Sequence, residues 1–107
     1  MARKKYKTLT EQMFYILLCL KNECCGIDIM DMVSEMTSGR VVIGPGTLYT
    51  LLGDFLKEGF IAETAVNGRK RSYILTEIGK EILCEEYDRL KVQVVDFERV
   101  FDNKEKE

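Results

Sequence analysis

Residues 44–61, with the sequence GPGTLYTLLGDFLKEGFI, constrain the fold of this chain more than any other stretch. Pro45 suits the first turn of a helix because its missing N–H would have no partner there, and Gly44 is an acceptable N-cap before it. Gly59 is typical of a helix end. The stretch therefore predicts a helix that starts at its first residues and runs directly into a strand.

The two sides of this helix differ in polarity, but its polar side carries less charge than the solvated face of an ordinary helix. At about 100° per residue, one side is apolar and comprises Leu48, Leu51, Leu52, Phe55 and Leu56. The opposite side is small, hydroxylated and lightly charged, and it comprises Gly46, Thr50, Gly53 and Lys57, flanked by Thr47 and Tyr49. Solvated helix faces are usually charged, so this low relief favours close approach to another surface, such as a DNA major groove.

A basic hairpin follows the helix. Two runs with strand composition, residues 60–66 and 69–75, flank Asn67-Gly68, and Asn-Gly between such runs is a strong hairpin signal. Side chains of a protruding ribbon can contact phosphates, and the cations directly after this turn are Arg69, Lys70 and Arg71. The alternative interpretation is an edge strand that its charges protect from pairing.

Two further helices precede this stretch. Thr8 and Glu11 fit a capping box, and the apolar spacing after them predicts a first helix over about residues 9–21. A second helix opens at Gly26 and stops at residues 37–39, after which residues 41–43 have the composition of a short strand. Helix, turn, small-faced helix and basic hairpin, in this order, predict a winged helix-turn-helix in a mainly α (α+β) chain.

The last third of the chain carries a heptad seam. Thr76 can cap a helix with Glu77 near its positive end. Apolar residues then recur at alternating spacings of four and three, namely Leu83, Tyr87, Leu90, Val94, Phe97 and Phe101. This pattern predicts a dimerisation helix over residues 76–101. A helix that packs back onto its own domain is the alternative, but the preceding elements already close a core of this size.

Composition and charge agree with one small domain. The chain has 107 residues, of which 46% are hydrophobic, and a domain of this size gains from sharing apolar area between subunits. The net charge of −2 is unevenly spread, because residues 1–75 carry 10 cations and 8 anions whereas residues 76–107 carry 6 and 10. We therefore expect a DNA-binding domain over residues 1–75, followed by the dimerisation helix and by a frayed tail over residues 102–107. The DNA-binding domain begins with a basic arm, Arg3-Lys4-Lys5.

No segment indicates export or a membrane span. The longest apolar run, residues 13–20, is far shorter than the roughly 18 residues that a span requires. No signal-peptide core precedes it. We therefore expect a cytoplasmic protein with no membrane partner.

Cysteine and histidine usage argues against catalysis and metal binding. The four cysteines form no CxxC pair and the chain contains no histidine, which leaves zinc without a ligand set and hydrolysis without its usual base. We therefore predict no enzyme, no metal and no cofactor. Cys19 and Cys84 fall in helices, where free cysteine behaves as a small hydrophobe. Cys24 and Cys25 fall at a predicted turn, where a peroxide-sensing role stays open.

Five segments of the chain resemble the PadR-like transcriptional regulators in register. They are LTE at 9–11, CGIDI at 25–29, GPGTLY at 44–49, LKEGFI at 56–61 and GRKRSYILT at 68–76. The brief C-terminal extension resembles that of the short subfamily, whose members carry a single terminal helix. Two positions depart from the family pattern, because Cys25 stands where histidine is usual and Thr50 stands where proline is frequent.

The resemblance implies a repressor that binds operator DNA as a homodimer. It implies that the helix of Thr47, Tyr49 and Thr50 enters the major groove while the wing lies near phosphate or the minor groove. Two such helices should enter successive major grooves about 34 Å apart, which predicts a pseudo-palindromic operator. To the wing cations we add Arg40 and Lys57 as predicted phosphate contacts.

The resemblance also implies control by small aromatic or drug-like effectors in many members. We expect a flat apolar effector site between the subunits, lined by Tyr15, Tyr87, Leu90 and Val94. A winged-helix module that binds an acidic protein instead of DNA is the alternative function. A small enzyme is a weaker one, because no catalytic constellation is visible.

Overall fold

The computed structural model describes residues 8–101, which form a mainly α winged helix with a small sheet. Along the chain the elements are α1 (Glu11–Cys19), β1 (Cys24–Cys25), α2 (Gly26–Met36), α3 (Pro45–Glu58), β2 (Ile61–Asn67), β3 (Lys70–Leu75) and α4 (Glu77–Val100). The predicted basic arm (Arg3-Lys4-Lys5) and the predicted tail (residues 102–107) lie outside the described residues. Within residues 8–101, no helix is both long and apolar enough to cross a membrane.

The sequence predicts both ends of α3 correctly. Pro45 occupies the first turn, Gly44 is the N-cap, and Gly59 ends the helix with a φ of 80°. Glycine adopts this left-handed conformation without the steric cost that a Cβ would bring. The inner side of α3 joins the core through Leu48, Leu52 and Phe55.

The three strands form one antiparallel sheet in the order β1-β3-β2. The wing turns at Gly68-Arg69 rather than at the predicted Asn67-Gly68, because Asn67 pairs with Lys70 as the last step of the ladder. Gly68 has a φ of 63°, which a two-residue hairpin turn of this kind requires. Arg69 therefore lies on the turn itself.

β2 contains a bulge that the hairpin pattern does not predict. Thr64 is an extra residue between two regular pairs, Glu63–Tyr73 and Ala65–Ser72. Its hydroxyl donates a hydrogen bond of 2.5 Å to Oε2 of Glu23 in the loop before β1. Because a bulge increases the local twist, the bulge and this bond together set the direction in which the wing leaves the sheet.

Two short segments differ from their predicted structure. Residues 41–43, predicted as a strand, form a loop between α2 and α3. Val41 and Ile43 are buried in the core, and the Val41 N–H donates to Oγ1 of Thr37 at 3.0 Å instead of to a neighbouring strand. The third strand is Cys24–Cys25, predicted as a turn, which pairs with the middle of β3.

α1 begins later than its predicted capping box. Thr10 is the N-cap rather than Thr8, and its Oγ1 accepts the Met13 N–H at 3.2 Å. Leu9 stands before this cap with a buried side chain, and its N–H donates to Oε1 of Glu86 at 3.1 Å. Because these contacts hold Leu9 outside the helix, α1 starts after Thr10.

The first half of α4 is anchored to the domain. Thr76 caps the helix by accepting the Gly79 N–H at 3.1 Å, and its hydroxyl donates to the Gly59 carbonyl at 2.6 Å. A Cβ at Gly79 would stand 2.1 Å from the carbonyl oxygen of Phe60, so this close approach requires glycine. Ile82 is buried in the core one turn later.

The second half of α4 projects from the domain. From residue 87 to residue 101 every residue is exposed except Arg89, which is half-buried. We call these residues the projecting half of α4. At about 1.5 Å per residue the projecting half is roughly 20 Å long.

Candidate nucleic-acid interface

The outer side of α3 is exposed and has low relief. Thr47 and Thr50 are exposed, and Tyr49 is 49% exposed. Apart from its chain neighbours and the backbone of α3 itself, a Cβ at Gly46 or Gly53 would meet no described residue within 4 Å. A helix with such a side can approach another surface as closely as the floor of a DNA major groove.

An open cleft of about 400 Å³ lies between α3, the start of α2 and the wing. We call it the wing cleft, and its lining residues are Cys25, Gly26, Ile27, Tyr49, Arg69, Lys70, Arg71 and Tyr73. A Cβ at Gly26 would lie 3.3 Å from the Tyr73 ring and 3.6 Å from the Tyr49 ring. The structure therefore brings predicted groove and phosphate residues from separate elements to one opening.

The three wing cations differ in their surroundings. Arg69 lies on the turn and Lys70 begins β3, both exposed. Arg71 pairs with Glu63 across the hairpin, with 2.9 Å between Nη1 and Oε2. An ion pair this exposed contributes under about 1 kcal/mol to the stability of the fold. It nevertheless places a carboxylate next to one cation of the wing cleft. We therefore expect Arg69 and Lys70 to attract phosphate more strongly than Arg71.

Neither Arg40 nor Lys57 lines the wing cleft. Arg40 contacts α1, where Nη1 donates to the Glu11 carboxylate at 2.5 Å and Nη2 donates to the Tyr15 hydroxyl at 2.9 Å. Its guanidinium carbon also lies 5.8 Å from the centroid of the Tyr15 ring. Lys57 is in the last turn of α3, roughly 10 Å along the helix axis from Thr50. The structure thus separates these two predicted phosphate contacts from the others.

Most of the heptad seam of α4 is uncovered. Leu83 is half-buried and packs against the core. The other members are between 39% and 55% exposed, and they are Tyr87, Leu90, Val94, Phe97 and Phe101. A contiguous apolar stripe of this kind is typical of a surface that contacts another protein.

A second cleft, of about 240 Å³, lies between α1 and α4. We call it the α1–α4 cleft, and its lining residues are Leu9, Thr10, Glu11, Phe14, Tyr15, Glu86, Arg89 and Leu90. It brings together Tyr15 and Leu90 of the predicted effector set. Tyr87 and Val94 do not line it, and the Lys91 ammonium lies 5.0 Å from the centroid of the Tyr87 ring.

The α1–α4 cleft contains Glu86, which the sequence analysis missed. Its side chain is only 4% exposed, yet it accepts hydrogen bonds from Arg89 through both oxygens and from the Leu9 N–H. The bonds from Arg89, and then the bond from Leu9, hold the pKa of this carboxyl below its ordinary value although burial acts in the opposite direction. A signal was present, because Glu86 falls between Ile82 and Leu90 at helical spacing within an apolar stripe.

The wing and the start of α2 hold two more residues that sequence reasoning missed. Glu63 was not predicted to face Arg71, because the bulge at Thr64 shifts the pairing that a regular hairpin would have. Ile27 is 52% exposed at the wing cleft, and its position off the apolar stripe of α2 was the available signal.

The cysteines occupy different environments. Cys24 Sγ lies 3.3 Å from Sδ of Met32, whereas Cys25 lines the wing cleft. Burial raises the pKa of the Cys19 thiol to about 11, and burial is also the main cause that raises the pKa of Cys24. A raised pKa leaves less of the reactive thiolate at neutral pH, which disfavours peroxide sensing by Cys24. Cys84, expected to behave as a small hydrophobe, is exposed on α4.

Comparisons with known proteins agree with this architecture. RosR of H. salinarum is 24% identical with a TM-score of 0.65, over 94% of this chain and 86% of that chain. A PadR family transcriptional regulator from Eggerthella lenta is 19% identical with a TM-score of 0.74, over 86% of this chain and 82% of that chain. At these identities the two likenesses show the fold alone.

Bacillus subtilis PadR, solved in complex with operator DNA, is 28% identical with a TM-score of 0.63. The match covers 71% of this chain and 47% of that chain. No curated protein matches the sequence. The profile of the transcriptional regulator PadR-like family matches residues 16–85, which is more than half of the sequence. This chain therefore belongs to the PadR-like family of transcriptional regulators.

Proposed function

We propose that this chain is a homodimeric repressor that binds a pseudo-palindromic operator and responds to a small aromatic or apolar effector. The wing cleft carries the DNA part of the proposal, because it joins Tyr49 of α3 to Arg69 and Lys70 of the wing at one opening. The 28% identity to a PadR that was solved with operator DNA supports the same assignment.

The two sides of the wing cleft would divide the work of binding. Arg69 and Lys70 would contact phosphates, an attraction that does not depend on sequence and weakens with salt. Thr47, Tyr49 and Thr50 would meet base edges in the major groove and supply the preference for the operator. Arg71, Arg40 and Lys57 would contribute less, because Arg71 and Arg40 already pair with carboxylates and Lys57 lies at the far end of α3.

The exposed seam of α4 supports the homodimer. Packing Tyr87, Leu90, Val94, Phe97 and Phe101 against the same residues of a second copy would remove them from water. Apolar burial is worth about 25 cal/mol per Å², and a two-fold arrangement matches the same face to itself. Two copies of α3 would then face one side of a DNA duplex about one helical turn apart.

The α1–α4 cleft supports an effector site. Phe14, Tyr15 and Leu90 give it an apolar part, and Leu90 belongs both to this cleft and to the exposed seam. A ligand in the cleft would therefore touch the subunit interface of the proposed dimer. Calorimetry with planar aromatic cations and phenolic acids tests this point, and the absence of both heat and a thermal shift across the panel would count against it.

The decisive experiment selects fragments of genomic DNA with purified protein and then places a selected site between a promoter and a reporter. Enriched fragments should share paired half-sites, and supplying the protein should lower reporter expression. A regulator of chromosomal DNA acts where that DNA is, so we propose a cytoplasmic location. If no DNA is enriched, the module that binds an acidic protein becomes the better explanation of the cationic wing.

A further inference from the structure

Glu86 is the one charged side chain that is buried among residues 8–101. Removing a carboxylate from water is costly unless charge and hydrogen bonds compensate for it. Arg89 supplies the charge from the next turn of α4, and the Leu9 N–H supplies a bond of 3.1 Å from the start of α1. The carboxylate therefore joins two elements that are 77 residues apart in sequence.

The position of Glu86 along α4 is as informative as its burial. It is the last buried residue before the projecting half begins at Tyr87. The other close anchor of α4 is Gly79 against Phe60, about 10 Å away along the helix axis. Two anchors at this separation fix both the position of a helix and its angle to the domain. Without the second anchor, the angle would rest on the apolar contacts of Ile82 and Leu83 alone.

The projecting half acts as a lever on any movement at Glu86. The distance from Glu86 to Phe101 is about 22 Å along the helix axis, so a tilt of about 10° displaces the tip by roughly 4 Å. One base pair of B-DNA spans about 3.4 Å. A small change of angle at Glu86 therefore produces displacements comparable to the length of one base pair.

We infer that Glu86, held by Arg89, is a positioning residue that fixes the angle between α4 and the winged helix and thereby sets the half-site spacing of the operator. The inference rests on the proposed homodimer. Direct DNA contact is not needed for this role, because the effect passes through α4. Glu86 then determines which spacing is preferred, while Tyr49 and the wing determine which half-site is bound.

The test compares operators of different spacing. A site selected with the wild-type protein is synthesised with its natural centre and with one base pair inserted or deleted there, and the affinity ratio is measured. Glu86→Gln keeps an acceptor for the Leu9 N–H but removes the charge, and Glu86→Met removes both. We expect the preference for natural spacing to fall about threefold in the Gln variant and about tenfold in the Met variant.

Partial unfolding cannot imitate this result, because a ratio taken with one protein sample is unchanged by an inactive fraction. Glu81→Gln, which removes the same charge from an exposed position of α4, should keep the wild-type ratio. Equal ratios in the wild type and both Glu86 variants would overturn the inference. If the wild type does not prefer paired half-sites over a single one, the homodimer proposal itself fails, and that result is seen before any variant is made.

Discussion

The two exposed surfaces of this protein, the outer side of α3 with the wing and the projecting half of α4, are built from opposite kinds of residue. The first presents glycine, threonine and one tyrosine beside cations. The second presents a stripe of large apolar side chains on a helix whose other positions are mostly charged. Both are solvent-exposed in the single chain, so burial alone would not distinguish them. Their chemistry does, because a polyanion attracts cations whereas a second copy of a helix is attracted by apolar area.

The charge distribution along the chain follows the same division. The excess of cations falls in the winged-helix part and the excess of anions falls in the C-terminal part. An acidic α4 would be repelled by DNA, which favours binding through the opposite surface. A substitution on one surface should therefore change the function of that surface and leave the other unchanged.

The largest effect is expected at the seam of α4. Leu90→Glu would place an unpaired charge between two α4 helices, which costs several kcal/mol, and light scattering should show monomers at tens of micromolar protein. Val92→Glu is the matched control, because Val92 is 59% exposed and lies on the other side of the helix from Leu90. If both variants dissociate, or neither does, the seam is not the contact surface.

The next effect concerns the salt dependence of DNA binding. Changing Arg69 and Lys70 together to alanine should weaken binding to operator and random DNA alike. The slope of log affinity against log salt should flatten by about two to four units per dimer, since each phosphate contact contributes about 0.9. Changing Lys80 and Arg99 of α4 to alanine removes the same charge away from the seam and should leave the slope unchanged. An unchanged slope in the wing variant would favour the protein-binding alternative.

A smaller effect is expected on the choice of sequence. Tyr49→Ala and Thr50→Ala should each reduce the preference for operator over random DNA by about tenfold, in line with one to three kcal/mol per specific base contact. The salt slope should change little, because both side chains are neutral. Tyr49→Phe keeps the ring and removes the hydroxyl, so it shows which of the two supplies the preference. A uniform loss of affinity on all DNA would show that these residues contact the backbone instead.

The smallest effect is an increase in affinity. Glu63→Gln removes the carboxylate that pairs with Arg71, so the wing gains one unit of net positive charge and Arg71 becomes available to phosphate. Since the exposed pair contributes under about 1 kcal/mol, affinity for any DNA should rise only a few-fold. Glu77→Gln, which breaks the exposed pair with Lys80 on α4, is the control. Weaker DNA binding by Glu63→Gln would mean that the pair holds the wing in its binding position.

The parts of the fold that depend on neighbouring residues were predictable from the sequence. Gly44, Pro45 and Gly59 delimit α3 because caps and backbone conformations are local properties. The heptad spacing of α4 predicted a single long helix here, but the seam itself stays a prediction, because the projecting half is exposed on all sides. Tyr49 and the wing cations were predicted to act together, and the fold brings them to one cleft.

The parts that depend on distant contacts were not predictable in the same way. Residues 41–43 have strand composition, but burial of Val41 and Ile43 in the core takes them out of the sheet. Cys24–Cys25 becomes a strand only because β3 lies beside it. Arg40 pairs with α1 and Glu86 pairs with Leu9, and each pair joins segments that are far apart along the chain. No local sequence pattern shows which distant residues will meet.

The bulge at Thr64 gives β2 one residue that can be removed without changing the pairing of β3. In a regular ladder, deleting one residue from a strand turns every later side chain to the opposite face, which would move the cations of a wing away from their ligand. Thr64 already stands outside the pairing, and all three cations lie on the turn and β3. Deletion of Thr64 would therefore remove the bond to Glu23 and change the direction of the wing, but leave the strand that carries the cations intact. A residue can therefore be removed at this point without turning the charged side chains of β3 to the opposite face of the wing.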